Sequence, residues 1–533
     1  MVGNTANTLT ITRLILRLDR FRIALWLVGL TFFTLIVPVA FRNLYGTQQE
    51  RDAMALTMEN PAMTAMVGPG DLENYTMGAM TAHQMILMTA VVAGLMAVLL
   101  TSRWTRGEEE EGRVEMIRSL PAGRLAQLMA AILVMTLVSV LLAVFTGLGL
   151  AAMGEASMTL EGSLLYGAAL GGASLFFGGI TAVAAQLLSN SRGTVGFSIA
   201  VLLGSYLFRA VTDISNETLS WISPLGWVTK AEVYSGNYWG PVVLLILSAG
   251  VLFAAGSWLN SIRDLGHSFV PPGKGRERAS RLLQNPLGLT VRLQRTGFIV
   301  WAAGVFILGA SYGSVLGDME AFFAENELMA QLLQEQEGLS LTEQFIPMLL
   351  VVLSLLSTIP PLMAVNKLRG EEKKHRVKHL LGRAVSRTHL LAVYTGTTAV
   401  NGFIMLSLTA AGLWAAGNAV MDEGLAFGLI YGAAVSYYPA VLVMIGLAVL
   451  LIGALPKFTQ LVWVYLFYSF VALYLGGLFQ FPEWVGMVTP FGHVPQVPVE
   501  DSAVLPLVVL AGIAAVLTVI GFITFRKRDL DFQ

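Results

Sequence analysis

The side chains with the most chemical potential in this 533-residue sequence gather in two short charged stretches. The first runs from Arg106 to Arg124 and reads R-G-E-E-E-E-G-R-V-E-M-I-R-S-L-P-A-G-R. The second runs from Arg369 to Arg387 and reads R-G-E-E-K-K-H-R-V-K-H-L-L-G-R-A-V-S-R. Glu109 and Arg113 are four residues apart, as are Glu372 and Arg376, and on a helix that spacing gives facing ion pairs. Acids crowd the start of each stretch, where a helix dipole favours them. Val114, Ile117 and Leu120 would form an apolar edge, as would Val377, Leu380 and Leu381. Each stretch therefore predicts a short amphipathic helix at a membrane surface. A solvated connector would carry similar charges, but the recurrence of one pattern favours an element that docks another protein.

Nothing else in the sequence assembles a catalytic set, and no catalytic residue is expected. There is no cysteine, which excludes disulfides, thiolate metal sites and Cys nucleophiles. No G-x-x-x-x-G-K-[ST] loop occurs. Pro272-Gly273-Lys274-Gly275 lacks the spacing and the Ser/Thr. The chain is expected to bind no cofactor of its own, so any ATP and Mg would be held by a partner. His375 and His379 have a spacing that can bind zinc, but no H-E-x-x-H accompanies them and no metal site is expected. His83 and His493 are expected near the outer surface in structural roles.

The elements that must position these loops are membrane spans. Of all residues, 55% are hydrophobic, 13% are charged, and mean hydropathy is +0.68. A soluble chain carries about 25% charged residues. Segments of about 20 apolar residues span a bilayer, and twelve qualify: roughly 23–43, 82–102, 125–153, 162–188, 194–211, 239–261, 296–317, 345–366, 389–418, 424–453, 459–478 and 503–525. The fifth and eleventh are shortest. With the N-terminus inside, 29 of the 33 basic residues fall on the inner side, leaving Arg42, Arg51, Arg209 and Lys230 outside. This asymmetry predicts an N-in, C-in topology. The basic stretch Leu9 to Arg22 is expected to lie along the inner interface or to anchor the first span. Its counterpart is Leu287 to Arg295. No ionisable residue falls near a span centre, which argues against a proton relay. Asn401, Tyr437, Tyr438, Tyr465 and Tyr468, within spans, could line a path for amphipathic cargo. Such groups more often bond between helices. Pro360-Pro361 predicts a kink in the eighth span. The outer loops Tyr45–Met80 and Asp318–Gln344 are long and acidic.

The chain also repeats itself. Arg106-Gly107-Glu108-Glu109 recurs as Arg369-Gly370-Glu371-Glu372, Arg113-Val114 as Arg376-Val377 and Arg124 as Arg387, all at an offset of 263. Ser223-Pro224-Leu225-Gly226 recurs as Thr489-Pro490-Phe491-Gly492, and Arg263-Asp264-Leu265 as Arg528-Asp529-Leu530. The expected organisation is an all-α polytopic membrane protein of about 12 transmembrane helices in two parallel six-helix repeats. Residues 1–265 form the first unit, 266–288 a cytoplasmic linker and 289–533 the second unit. A pathway between the units is expected.

The pattern E-x-x-G-R-V-E-M-I-R-S-L-P-A-G-R after the second span resembles the coupling-helix loop of type-2 ABC exporter permeases. The Arg-Asp-Leu after each sixth span is similar to that family's terminal signature. The fused double unit, the segment Ser223 to Trp227 and the R-D-L-G-x-x-x-x-P-P linker resemble the polyketide-antibiotic exporter branch of bacteria. The resemblance implies a bacterial cell-membrane exporter permease for an apolar or amphipathic small molecule. It implies two copies of a cytosolic ABC ATPase subunit as partners, with no nucleic acid. It also implies that Glu108, Glu109 and Arg113 belong to one ATPase-coupling loop, and Glu371, Glu372 and Arg376 to the other. Lys373-Lys374-His375 replaces Glu110-Glu111-Gly112, so the two loops need not couple equally. The rival readings are an ion-coupled secondary transporter and a membrane-embedded enzyme, for which no clustered acid, base or metal set is seen.

Overall fold

A computed structural model describes residues 3–533 except 60, 272–277, 315, 319–340, 384, 422–423, 475, 477–480, 498, 500–502 and 530–533. The acidic loop expected at Asp318–Gln344 and the centre of the expected linker lie largely outside the described residues. Among those residues the elements are helices and turns, with no strand. The chain divides into two compact units, Met1–Gly275 and Arg276–Gln533.

In the first unit the long helices are α1 (Thr8–Leu44), α2 (Met77–Ser102), α3 (Ala126–Ala151), α4 (Leu160–Leu187), α5 (Ser191–Ser215) and α6 (Trp239–Ile262). In the second they are α7 (Pro286–Ser314), α8 (Leu341–Lys373), α9 (Arg387–Val420), α10 (Phe427–Ala454), α11 (Leu461–Tyr474) and α12 (Val504–Lys527). Eleven of these are long and apolar enough to cross a bilayer. The remaining one, the eleventh expected span at 459–478, is represented by α11. Its 14 described helical residues reach about 21 Å.

Local sequence sets the helix starts. The side chains of Thr76, Thr159, Asn190 and Ser386 each accept a bond from the backbone N–H three residues on, the N-cap geometry that satisfies an orphan donor. Within the first unit α4 is central, packing against α2, α3 and α6. Its glycines permit this. A Cβ on Gly167 would lie 2.1 Å from the Ala143 carbonyl of α3, so only glycine lets the two backbones approach. In the second unit Gly309 and Gly313 of α7 do the same against α9, with a Cβ meeting the Thr409 and Leu413 carbonyls at 2.3 Å.

One expectation changes. The basic segment Leu9–Arg22 is continuous with the first span as one 37-residue helix, about 55 Å long. It is an extension of α1 and not a separate interfacial helix. The segment between α1 and α2 carries helices of its own, Gln48–Met58 and Pro61–Val67. Ala55, Met58, Val67, Tyr75, Met77, Met80 and Met158 form a small core beneath them. Arg209 on α5 ties this cap down through the Ala65 carbonyl at 2.5 Å, and its fully buried side chain is balanced by the equally buried Asp213, one turn on in the same helix, at 2.6 Å. Helix α8 continues through Pro347, Pro360 and Pro361. Helix α10 is interrupted between Val435 and Tyr438, just ahead of Pro439.

Candidate functional site

The two charged loops leave the ends of α2 and α8. In the first unit, α2 passes into a π-helical turn, Arg103–Gly107, and a last helical turn at Glu108–Glu110. Gly112 then adopts φ 72°, and a new helix runs from Arg113 to Arg118. In the second unit α8 runs to Lys373, His375 adopts φ 58°, and a new helix covers Arg376–Leu381. The left-handed residue breaks each loop into two helices. Val114 and Val377 are buried as the expected apolar edge, whereas Leu120 points outward.

This break corrects the expected pairing. Glu109 does not pair with Arg113, nor Glu372 with Arg376. Arg113 Nε instead donates to Glu108 at 2.5 Å and also meets Glu111. The Glu108 carboxylate holds the Arg113 guanidinium above its ordinary value. Arg376 pairs with Glu371 at 3.4 Å.

Glu109 and Glu372 turn inward. Arg263, just past the end of α6, donates Nη1 and Nη2 to the two oxygens of Glu109 at 2.9 and 2.8 Å. Arg106 pairs with the same carboxylate at 2.9 Å, and the Gly266 amide donates to it at 2.8 Å. The side chains of Glu109 and Arg263 are 9% and 5% exposed. Gln186 of α4 accepts from Arg263 Nε at 3.0 Å and from Asn260 at 2.9 Å. Arg124 closes the cluster, donating to the Arg263 carbonyl at 2.9 Å. A bidentate Arg–carboxylate pair of this kind is geometrically specific. Its burial leaves no freedom to separate the partners cheaply.

The second unit repeats the latch with fewer bonds. Arg528, just past α12, donates Nη2 to Glu372 at 2.7 Å, Arg369 pairs with Glu372 at 3.0 Å, and Arg387 donates to the Arg528 carbonyl at 2.8 Å. Phe525 stands where the first unit has Asn260, three residues before the arginine, and Arg528 lies over its ring at 5.3 Å. Among the described residues, Arg528 Nε and Nη1 have no hydrogen-bond partner.

Sequence reasoning flagged the Arg-Asp-Leu segments but missed what their arginines hold. It also missed Asp19. This buried carboxylate on α1 accepts from Arg103 Nε at 3.0 Å, Trp104 Nε1 at 2.8 Å and Arg22 at 2.6 Å. The N-terminal segment adds a clamp: Gly123 and Leu125 amides donate to the Ala6 and Asn4 carbonyls at 3.0 and 2.9 Å. The first loop is thus fixed to α1, α4 and α6.

The residues considered for a cargo path all lie in the second unit. Tyr438 donates to the Ala399 carbonyl at 3.1 Å, Tyr465 to Val488 at 2.7 Å and Tyr468 to Val485 at 3.0 Å. These three hydroxyls hold segments of the second unit together. Asn401 and Tyr437 are buried, and Asn401 Oδ1 lacks a partner among the described residues. A cleft of about 450 Å³ opens beside the first loop, between Leu99, Ser102 and Arg103 of the α2 end and Arg192, Val195 and Gly196 of α5. Among the described residues no group of His, Asp and Glu is arranged to hold a metal ion.

Residues 10–259 and 283–526 match the family described as multidrug efflux system permease Rv1217c, C-terminal domain. The chain is 33% identical over 530 residues to the multidrug efflux system permease protein Rv1217c of Mycobacterium tuberculosis, covering 98% of this chain and 95% of the relative. This multi-pass membrane protein, a transport permease, therefore belongs to the Rv1217c-type multidrug efflux permease family.

Proposed function

We propose that the chain is the permease subunit of an ATP-binding cassette exporter. It moves an apolar or amphipathic small molecule outward across the bacterial cell membrane. Two copies of a cytosolic ATPase subunit bind ATP and Mg and supply the energy. One chain provides both transmembrane halves, residues 1–265 and 289–533, joined by 266–288, with both termini inside. The two stretches that match the family support this division.

The observation that carries the reading is the latch built twice. In each unit a carboxylate of the loop after the second long helix is clamped by an arginine following the last long helix. A loop that were a mere connector would have no use for a buried ion pair to a distant element. A loop that receives a push needs a rigid attachment through which to deliver it. Glu108, Glu371, Arg113 and Arg376 shape the docking face, while Glu109 and Glu372 transmit from it. Of the residues considered for cargo contact, we retain Asn401, whose buried acceptor is open.

The test is purification of the tagged chain from its native membrane, with ATP hydrolysis measured on the eluate. A co-purifying ATPase supports the reading. A chain that arrives without one, from membranes that contain a candidate ATPase, refutes it.

A further inference from the structure

A small pocket opens beside the latch of the first unit, with Arg106, Glu109, Arg118, Arg124 and Arg263 in its lining. Four guanidinium groups there meet one carboxylate. Glu109 is already engaged by Arg263, Arg106 and the Gly266 amide. Among the described residues Arg118 and Arg124 form no ion pair; they donate to the Arg124 carbonyl at 3.3 Å and the Arg263 carbonyl at 2.9 Å. Burial, with the positive charges of Arg124 and Arg263, holds the Arg118 guanidinium below its ordinary value, although Glu109 acts the other way. Arg106 is 3% exposed, and its Nε has no partner among the described residues. Gln127 Oε1 of α3 and Asn260 Oδ1 of α6, also in the lining, lack one too. Their amide nitrogens are committed to the Trp104 carbonyl and to Gln186, which fixes both oxygens as acceptors. The second unit puts hydrocarbon at the corresponding positions. Arg118, Gln127 and Asn260 become Leu381, Leu390 and Phe525, which pack into its apolar core.

We propose that this pocket binds the phosphate group of inorganic phosphate or of a phosphate monoester. An anion supplies the counter-charge that the four arginines lack, and unpaired charge is costly where water is excluded. Guanidinium groups match phosphate oxygens in geometry as well as in charge. The enclosed space of about 20 Å³ takes one oxygen atom. The rest of the group lies at the mouth, where Arg118 is half-buried and Arg124 exposed. The oxygen inside accepts from Arg106 Nε and faces two fixed acceptors. A P–OH oxygen suits both demands, because a hydroxyl donates as well as accepts. Sulfate and phosphodiesters carry no such proton at neutral pH. A lone water satisfies the same three atoms but leaves the charge uncompensated. Once bound, the phosphate ties the helix Arg113–Arg118 to the ends of α2 and α6, and so stiffens the first loop and not the second.

The experiment titrates the full-length, detergent-purified chain with radiolabelled inorganic phosphate by equilibrium dialysis at constant ionic strength. Its melting temperature is followed in parallel. The expected result is one phosphate per chain and a rise in melting temperature that equal sulfate does not give. R118L, which installs the side chain of the second unit, is expected to bind about tenfold more weakly through loss of a charge-assisted bond. R383Q, an exposed change in the other loop, should bind as the wild type does. Nanodiscs separate the sources. A rise in melting temperature with phosphatidic acid, but not with the diester phosphatidylglycerol, assigns the site to a lipid headgroup, and no difference between the two assigns it to soluble phosphate. Binding that sulfate matches, two phosphates per chain, or equal binding by R118L and the wild type overturns the proposal. So does a chain that responds to neither inorganic phosphate nor phosphatidic acid, which makes the pocket a water site. Should R118L melt early, R118Q repeats the comparison.

Discussion

Replacing Glu109 by glutamine tests the latch most sharply. The carboxylate takes two bonds from Arg263, one ion pair from Arg106 and one backbone N–H from Gly266. Glutamine keeps the shape and one acceptor oxygen, yet leaves two buried guanidinium groups with no counter-charge. Removing one partner of a buried ion pair costs about 3–5 kcal/mol. R263Q is gentler, because Arg106 and Glu109 still balance each other; the lost bonds set a cost of about 2 kcal/mol. E372Q should fall between, since Arg528 gives Glu372 one bond where Arg263 gives Glu109 two. At roughly 2–4 °C per kcal/mol for a domain of this size, E109Q should lower the melting temperature by on the order of 10 °C. Intrinsic fluorescence of the detergent-purified chain reads this, as ten tryptophans are available and Trp104 sits beside the site. E111Q, an exposed control, should stay within about 0.5 kcal/mol of wild type. The reasoning fails if E109Q melts with the wild type, or if R263Q is the more damaging change.

Other outcomes follow from the same geometry. D19N should loosen α1 from Arg103 and Trp104, at a cost of about 1–3 kcal/mol, seen as faster proteolysis of the N-terminal segment. G167L should block the approach of α4 to α3, since even a Cβ there meets the Ala143 carbonyl at 2.1 Å; a loss of folded yield on size exclusion is expected. G112A should cost about 1 kcal/mol, because an L-residue is forced left-handed. H375G should leave the melting temperature unchanged or raised, since that turn already carries the strain. R209M should melt the cap of the first unit, leaving Asp213 buried without its cation, and hydrogen exchange at Gln48–Val67 reports it.

Much of this arrangement is legible in sequence because lipid imposes it. Span length, basic-loop asymmetry and the recurrence of charged motifs are consequences of backbone satisfaction and charge desolvation. The pairing inside the loops was not legible. The four-residue rule presumes one continuous helix between Glu109 and Arg113, and the left-handed turn at Gly112 breaks it. Gly112 itself hinted at this, but His375 in the other copy hid the signal. The partner of Glu109 lies 154 residues away, beyond any local rule. The available clue was that Arg106, Glu109, Arg124 and Arg263 all recur together. Four charges kept in both copies of a lipid-soluble chain imply a mutual partner, because burial makes each costly alone. That Tyr465 and Tyr468 bond the Val488 and Val485 carbonyls was not legible either, because an aromatic hydroxyl in a span looks the same in sequence whether or not a neighbouring carbonyl accepts from it.

The central claim is that energy reaches this permease from ATP through its charged loops. Inside-out vesicles bearing the chain and its ATPase, treated with ionophores that collapse proton and sodium gradients, test it directly with a fluorescent amphipathic dye. Dye uptake that requires ATP, survives the ionophores and is lost in the E109Q/E372Q variant is the predicted result. Uptake driven by an imposed ion gradient without ATP would contradict it and make the protein a secondary transporter.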